Sequence, residues 1–168
     1  LSFLLTSAAA LSAPDKPHIV IMLADNVGWA AVEWHMPPSL PAREISTPKL
    51  DALRASGLEL DRHYTYKFCS PSRSALMSGR LPAHVNVYND DPAMAGAGAP
   101  AHMRLMPAML RDAGYRTHFV GKWHLGMASR SRQTPAARGF DTSLGYFHST
   151  NNYYDGTAPR AAATRRTR

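Results

Sequence analysis

The chain predicts an α/β fold with a mainly parallel sheet flanked by helices. Three observations carry that expectation. His18 to Ala24 (His-Ile-Val-Ile-Met-Leu-Ala) is an apolar run rich in β-branched residues, the pattern of a strand covered on both faces. Thr117-His118-Phe119-Val120 is a second run of that kind. Between them, Thr47-Pro48 to Gly57 and Cys69 to Gly79 each pair a helix-start signal with a glycine stop.

In chain order, Leu1 to Leu11 is apolar and small, and Ala10-Leu11-Ser12-Ala13 has the small-residue spacing of a leader cleavage site. Residues 1–13 are therefore expected to be a signal-peptide remnant, which directs the protein into the secretory pathway, extracellular or lysosomal. With no initiating Met and no basic segment ahead of it, the sequence is expected to begin inside that leader. No apolar run reaches the length that spans a bilayer. Residues 17–156 are expected to form one ordered catalytic segment. Pro17 opens it, the first strand follows, and Asp25-Asn26 comes at that strand's end. Trp29 to Pro41 has no sustained period and reads as loop.

The helix from Thr47-Pro48 puts Leu50 and Leu53 on one face. Leu58 to Tyr66 alternates Leu58, Leu60, Arg62, Tyr64 and Tyr66 on one side, which predicts a strand. Asn89 to Ala101 is rich in Gly, Pro, Ala and Asp and reads as loop. No apolar strand precedes Asp90-Asp91, so that pair is expected in a solvated turn. Met103 to Ala113 predicts a helix with Leu105, Met109 and Leu110 inward, its start limited by Pro107. After the strand at 117–120, Gly121-Lys122-Trp123-His124 stands at a carboxyl edge, where α/β proteins gather functional groups. In extended chain, Lys122 and His124 would point the same way. From residue 157 a low-complexity basic tail is expected to be disordered.

The formal charge of the 168-residue chain is +7. The tail inflates it, with four arginines and no acid between Arg160 and Arg168. No aromatic-basic interleaving or nucleic-acid motif accompanies that charge, so nucleic acid is not an expected partner. A single cysteine excludes an intrachain disulfide and a multi-cysteine zinc site. No Asn-x-Ser/Thr acceptor is present.

The one cysteine lies in Cys69 to Arg80, Cys-Ser-Pro-Ser-Arg-Ser-Ala-Leu-Met-Ser-Gly-Arg. Pro71 suits a first helical turn, Ser70 or Ser72 can cap it, and Gly79 can end it. Cys69 then sits at the positive end of a helix with Arg73 one turn in, a favourable place for an anion. Asp25 is either a cation ligand beyond a strand end or the cap of a turn before Gly28, and its spacing alone leaves both open.

Cys69, Pro71, Ser72, Arg73, Leu76, Gly79 and Arg80 resemble the sulfatase signature C-x-P-S-R-x-x-x-x-x-G-R. Gly114-Tyr115-Arg116-Thr117 and then Gly121-Lys122-Trp123-His124 resemble a second motif of that family, and the likeness runs from about Pro17 to Tyr154. Arg138-Gly139-Phe140-Asp141 and Gly145-Tyr146 also resemble it, and are expected to shape the rim of a site. The arylsulfatase B-like branch is the most similar.

The resemblance implies an alkaline-phosphatase-like sulfatase fold, here incomplete, and a type I sulfatase that cleaves sulfate esters, including those of sulfated glycans. It implies that a formylglycine-generating enzyme oxidises Cys69 to formylglycine, the precursor of the nucleophile. Arg73 would hold the hydrated aldehyde, Lys122 would contact the sulfate, and His124 would orient the nucleophile or assist its proton transfer. Asp25, Asn26 and residue 69 would ligate a divalent cation, Ca²⁺. Asn26 stands where the family carries a second Asp, which removes a negative charge from that site. The family's further His, Asp-Asn pair and Lys are not matched, so the chain is expected to be an N-terminal fragment with little activity alone. The alternatives are a catalytically dead remnant that binds sulfated glycans, and a related phosphatase or phosphodiesterase.

Overall fold

The computed structural model describes residues 16–39 and 45–157. The expected leader at 1–13 and the tail beyond 157 lie outside the described residues. The chain divides into two compact units, Leu1–Leu58 and Glu59–Arg168.

The first unit holds 3-10 turns at Trp29–Ala31 and Glu33–His35 and one helix, α1, Pro48–Ala55. Its start is the expected one, with Thr47 as N-cap and Pro48 in the first turn. The Thr47 hydroxyl donates to the Asp51 carboxylate and accepts from the backbone N–H of Glu33. Glu33 in turn accepts from the backbone N–H of Thr47 at 3.2 Å. The Trp29 and His35 rings stack, 3.5 Å between centroids. One expectation fails in this unit. Residues 18–24 form no strand, and Val20 is 79 % exposed. A strand needs a neighbour for its N–H and C=O groups, and among the described residues of this unit there is no other strand. Leu50 and Leu53, on α1, are exposed as well.

The second unit carries the core. Helix α2, Cys69–Ser78, ends where Gly79 turns left-handed at φ 66° and donates its N–H to the Ala75 carbonyl. Helix α3, Met106–Asp112, begins later than Met103 because Pro107 must lie in its first turn. Leu105 is its N-cap and is buried as expected, whereas Met109 faces outward. The predicted alternation at 58–66 forms no strand, and Leu58, Leu60 and Tyr64 are exposed.

Strand β1, His118–Lys122, runs parallel to β2, Thr142–Tyr146, with His118 opposite Thr142 and Lys122 opposite Tyr146. The α/β character and the parallel pairing are as predicted. Backbone pairing continues past both strands, Trp123 N–H to the Tyr146 carbonyl at 2.9 Å and His124 N–H to that of Phe147 at 3.1 Å. A side chain at Gly145 would collide with the Gly121 carbonyl, so glycine permits this close approach of the two strands.

Ala99, Leu105, Trp123 and Leu125 form the buried centre, with Met77, Val85, Phe119 and Phe140 packed on it. Phe119, Trp123 and Phe140 meet at ring-centroid distances of 5.3–6.1 Å, and the Trp123 indole N–H donates to the Gln133 carbonyl at 2.7 Å.

Arg138 and Asp141, expected at a rim, instead hold this core together. The buried Arg138 guanidinium donates to the carbonyls of Pro100, Ala101 and Met103. Burial pushes its pKa below the ordinary arginine value. The Asp141 carboxylate accepts from the Thr117 backbone N–H at 2.8 Å, which lowers its pKa, helped by the Thr117 hydroxyl, Arg111 and Arg116. Both residues thus fix the segments that enter β1 and β2.

Candidate active site

The site in the second unit is built where the first turn of α2 meets the carboxyl end of β1. The Arg73 guanidinium donates to the Lys122 carbonyl at 2.6 Å. That bond joins the helix one turn after Cys69 to the last residue of the strand. Arg73 is almost fully enclosed, so its charge faces little bulk water and acts at longer range than a surface arginine's. Cys69 is partly exposed at the helix start.

The cap of α2 differs from expectation. Ser72 does not cap a helix N–H. Its hydroxyl reaches back to the carbonyls of Phe68 and Tyr66 at 2.7 and 2.8 Å. The Ser70 N–H is met by the Asn89 side-chain oxygen at 3.1 Å, and the Ser70 hydroxyl by the Asn86 amide at 3.0 Å. The loop at 86–89 therefore fixes the cysteine turn, from nearly twenty residues away. Nothing local in the sequence marks Asn86 or Asn89.

His124 also departs from the extended geometry assumed for it. Its φ is 52°, a left-handed value rare for a residue with a side chain. The alternation of β1 therefore stops, and Trp123 and His124 are both buried, each 1 % exposed. Non-glycine residues persist in such conformations where the surroundings over-determine them, a pattern concentrated at functional sites. The His124 Nε2 lies 3.4 Å from the Asp90 carbonyl. A carbonyl only accepts, so Nε2 carries the proton and Nδ1 presents a lone pair. That Nδ1 is buried and has no hydrogen-bond partner. Burial lowers the His124 pKa from 6.5 to about 4, with Lys122, Arg73 and His148 adding to the shift and the Asp90 carbonyl opposing it. At neutral pH the imidazole is therefore uncharged, an acceptor among cations.

The structure thus brings together Arg73, Lys122 and His124, on the two elements that also carry Cys69. Asp25 and Asn26 belong to the first unit, where they form an exposed bend. Calcium takes about six to eight oxygen ligands. Among the described residues, no group of three or more His, Cys, Asp or Glu side chains is arranged to hold a metal. The described residues do not make a complete cation site. Asp91 and His148 adjoin the segments that meet His124. Asp91 lies in a solvated turn, as expected, and nothing in the sequence marks His148.

A polar helix start, a buried guanidinium and an uncharged histidine at a strand's carboxyl edge define an anion-handling α/β protein. Comparison with known proteins narrows the class. The family model "Sulfatase" matches residues 17–161, and the chain belongs to the sulfatase family. It is 35% identical to arylsulfatase J of Mus musculus over 148 residues, 87% of this chain and 23% of that protein. It is 38% identical to N-acetylgalactosamine-6-sulfatase of Homo sapiens over 145 residues, covering 81% and 26%. Among solved structures, that of Ps i-CgsB matches with a TM-score of 0.68 and 32% identity, over 79% of this chain and 28% of that one. The same protein in complex with k-i-k-neocarrahexaose matches with a TM-score of 0.66 and 31% identity, covering 77% and 28%. The chain spans about a quarter of the length of these relatives.

Proposed function

We propose that this chain carries part of the catalytic centre of a sulfuric ester hydrolase of the arylsulfatase type, acting in the secretory pathway. The observation that supports this most is the Arg73–Lys122 bond. It holds the Cys69 turn, two cations and the unpartnered Nδ1 of His124 in one neighbourhood. Among the described residues no helix is long and apolar enough to cross a membrane.

Cys69 fits the modification the family makes. It occupies the first turn of α2, partly open to a modifying enzyme, inside the matching motif. Once oxidised by a formylglycine-generating enzyme, residue 69 would supply the oxygen nucleophile toward sulfur, the bond from sulfur to the alcohol oxygen breaking as the new one forms. Lys122 pairs with the non-bridging oxygens of the sulfate ester, and Arg73 adds positive charge beside residue 69, where negative charge grows in the transition state. His124, uncharged at neutral pH, accepts a proton or a hydrogen bond at Nδ1 and so orients the attacking hydroxyl. Asp25 and Asn26 are proposed as oxygen donors toward a Ca²⁺ ion, a partial set only.

Sulfated glycans are the proposed natural substrate class. Two of the matched relatives point that way, one named for N-acetylgalactosamine-6-sulfate and one solved with a neocarrahexaose.

The test is release of a chromogenic alcohol from an aryl sulfate by the chain coexpressed with a formylglycine-generating enzyme. Turnover that Cys69→Ala and Lys122→Met each abolish supports the reading. Turnover of an aryl phosphate instead would move the protein to the phosphatases. Binding of a sulfated oligosaccharide without any turnover would make it a glycan-binding remnant.

A further inference from the structure

Four residues that belong to neither motif, Asp90, Asp91, Phe147 and His148, form a closed loop of contacts around His124. From one side, the Asp90 carbonyl meets the His124 side chain at Nε2. From the other, the Phe147 carbonyl accepts the His124 backbone N–H at 3.1 Å. The residues next in line on each side then meet each other, His148 Nε2 lying 3.5 Å from Asp91 Oδ1. The segments 90–91 and 147–148 thus grip His124 by ring and backbone and are tied together outside it.

Each segment is anchored independently. Asp91 Oδ1 also accepts the Ala93 N–H at 2.9 Å, and the Pro92 carbonyl accepts from Met127 N–H at 2.7 Å. His148 Nδ1 lies 3.1 Å from the Ser149 hydroxyl. The grip matters because packing encloses the ring but hydrogen bonds hold it weakly. Nδ1 has no hydrogen bond, and the single side-chain contact at Nε2 is long for a hydrogen bond. A small displacement of segment 90–91 would let the ring turn or exchange its tautomer.

We propose that Asp91 and His148 form a side-chain clasp that positions His124, keeping its proton on Nε2 and its Nδ1 lone pair presented to the site. They are positioning residues: they act through His124 and touch no reacting atom. That Nδ1 serves a sulfate ester rests on the function proposed above, but the clasp itself can be tested without turnover.

The measurement is long-range 1H–15N correlation on the 15N-histidine-labelled chain near neutral pH, which reads the tautomer of each ring. In the unaltered chain His124 is expected as the Nε2–H form. Asp91→Asn keeps the turn to Ala93 but removes the charge. His148→Gln removes the imidazole that meets Asp91. Each is expected to move His124 toward a tautomer mixture, roughly a two- to fivefold change in ratio, the scale of a partly exposed polar contact. His148→Lys, which places an ammonium group opposite Asp91, is expected to restore the original form.

The Trp123 indole N–H resonance, held by Gln133, reports that the core stays folded in each variant. Unchanged His124 nitrogens in Asp91→Asn would overturn the clasp, as would His148→Lys behaving like His148→Gln. Because the readout needs no sulfate ester, a Cys69 left unconverted by a formylglycine-generating enzyme beside an intact clasp response would count against the sulfatase reading alone.

Discussion

The first 58 residues and the rest of the chain use similar apolar material to opposite effect. Residues 18–24 are as β-branched and apolar as any stretch of the protein, yet they form no strand and stay exposed. The run at 117–120 is less apolar, yet it enters β1, because β2 offers a parallel partner, even though Val120 is as exposed there as Val20 is. No described residue of the first unit is buried. Strand-forming composition alone thus does not make a strand. The ladder partner decides.

That contrast can be broken by mutation. Trp123→Ala removes the largest buried side chain and the indole hydrogen bond to Gln133. It should cost roughly 3–5 kcal/mol, measured as a fall in the urea midpoint. Survival of the cooperative transition would mean the core lies elsewhere.

The next effect is pH-dependent. The folded His124 pKa, about 4, lies below the ordinary 6.5, so the unfolded chain binds the extra proton first. Its contribution to stability is complete above pH 6.5 and is lost as the pH falls toward 4, roughly 3 kcal/mol in all. His124→Gln should remove that slope relative to the unaltered chain. Equal slopes would show that the ring is not held uncharged by the fold.

Arg138→Ala should cost about 2 kcal/mol by stripping donors from the carbonyls of Pro100, Ala101 and Met103. Calorimetry checks it, and a neutral result would return Arg138 to a rim role. Smallest is Val20→Ser, expected within about 0.5 kcal/mol of no change. A large loss there would mean that the exposed run is packed in solution, and the comparison between the two regions would collapse.

What could be read from residue order alone divides along the same line. Helix ends were legible where backbone chemistry dictates them, as at Thr47-Pro48 and Gly79. The motif residues Arg73, Lys122 and His124 were legible as a set, and the fold brings them together. The strands at 18–24 and 58–66 were over-read, because alternation and apolarity say nothing about whether a partner exists. Asn89 and His148 were illegible for a different reason. Their roles depend on contacts from Asn89 to Ser70 and from His148 to Asp91 across 19 and 57 positions, and no periodicity records those. The same holds for His124, whose left-handed backbone overturned the side-chain direction expected of a strand.

The central claim is that Cys69, on the first turn of α2, is a nucleophile precursor. The most direct measurement is mass spectrometry of the peptide containing Cys69, taken from chain made with and without a formylglycine-generating enzyme. The account predicts that sulfur is lost from that residue only when the enzyme is present, and that Pro71→Ala or Arg73→Ala reduces the conversion. A peptide that keeps its thiol under both conditions would contradict it.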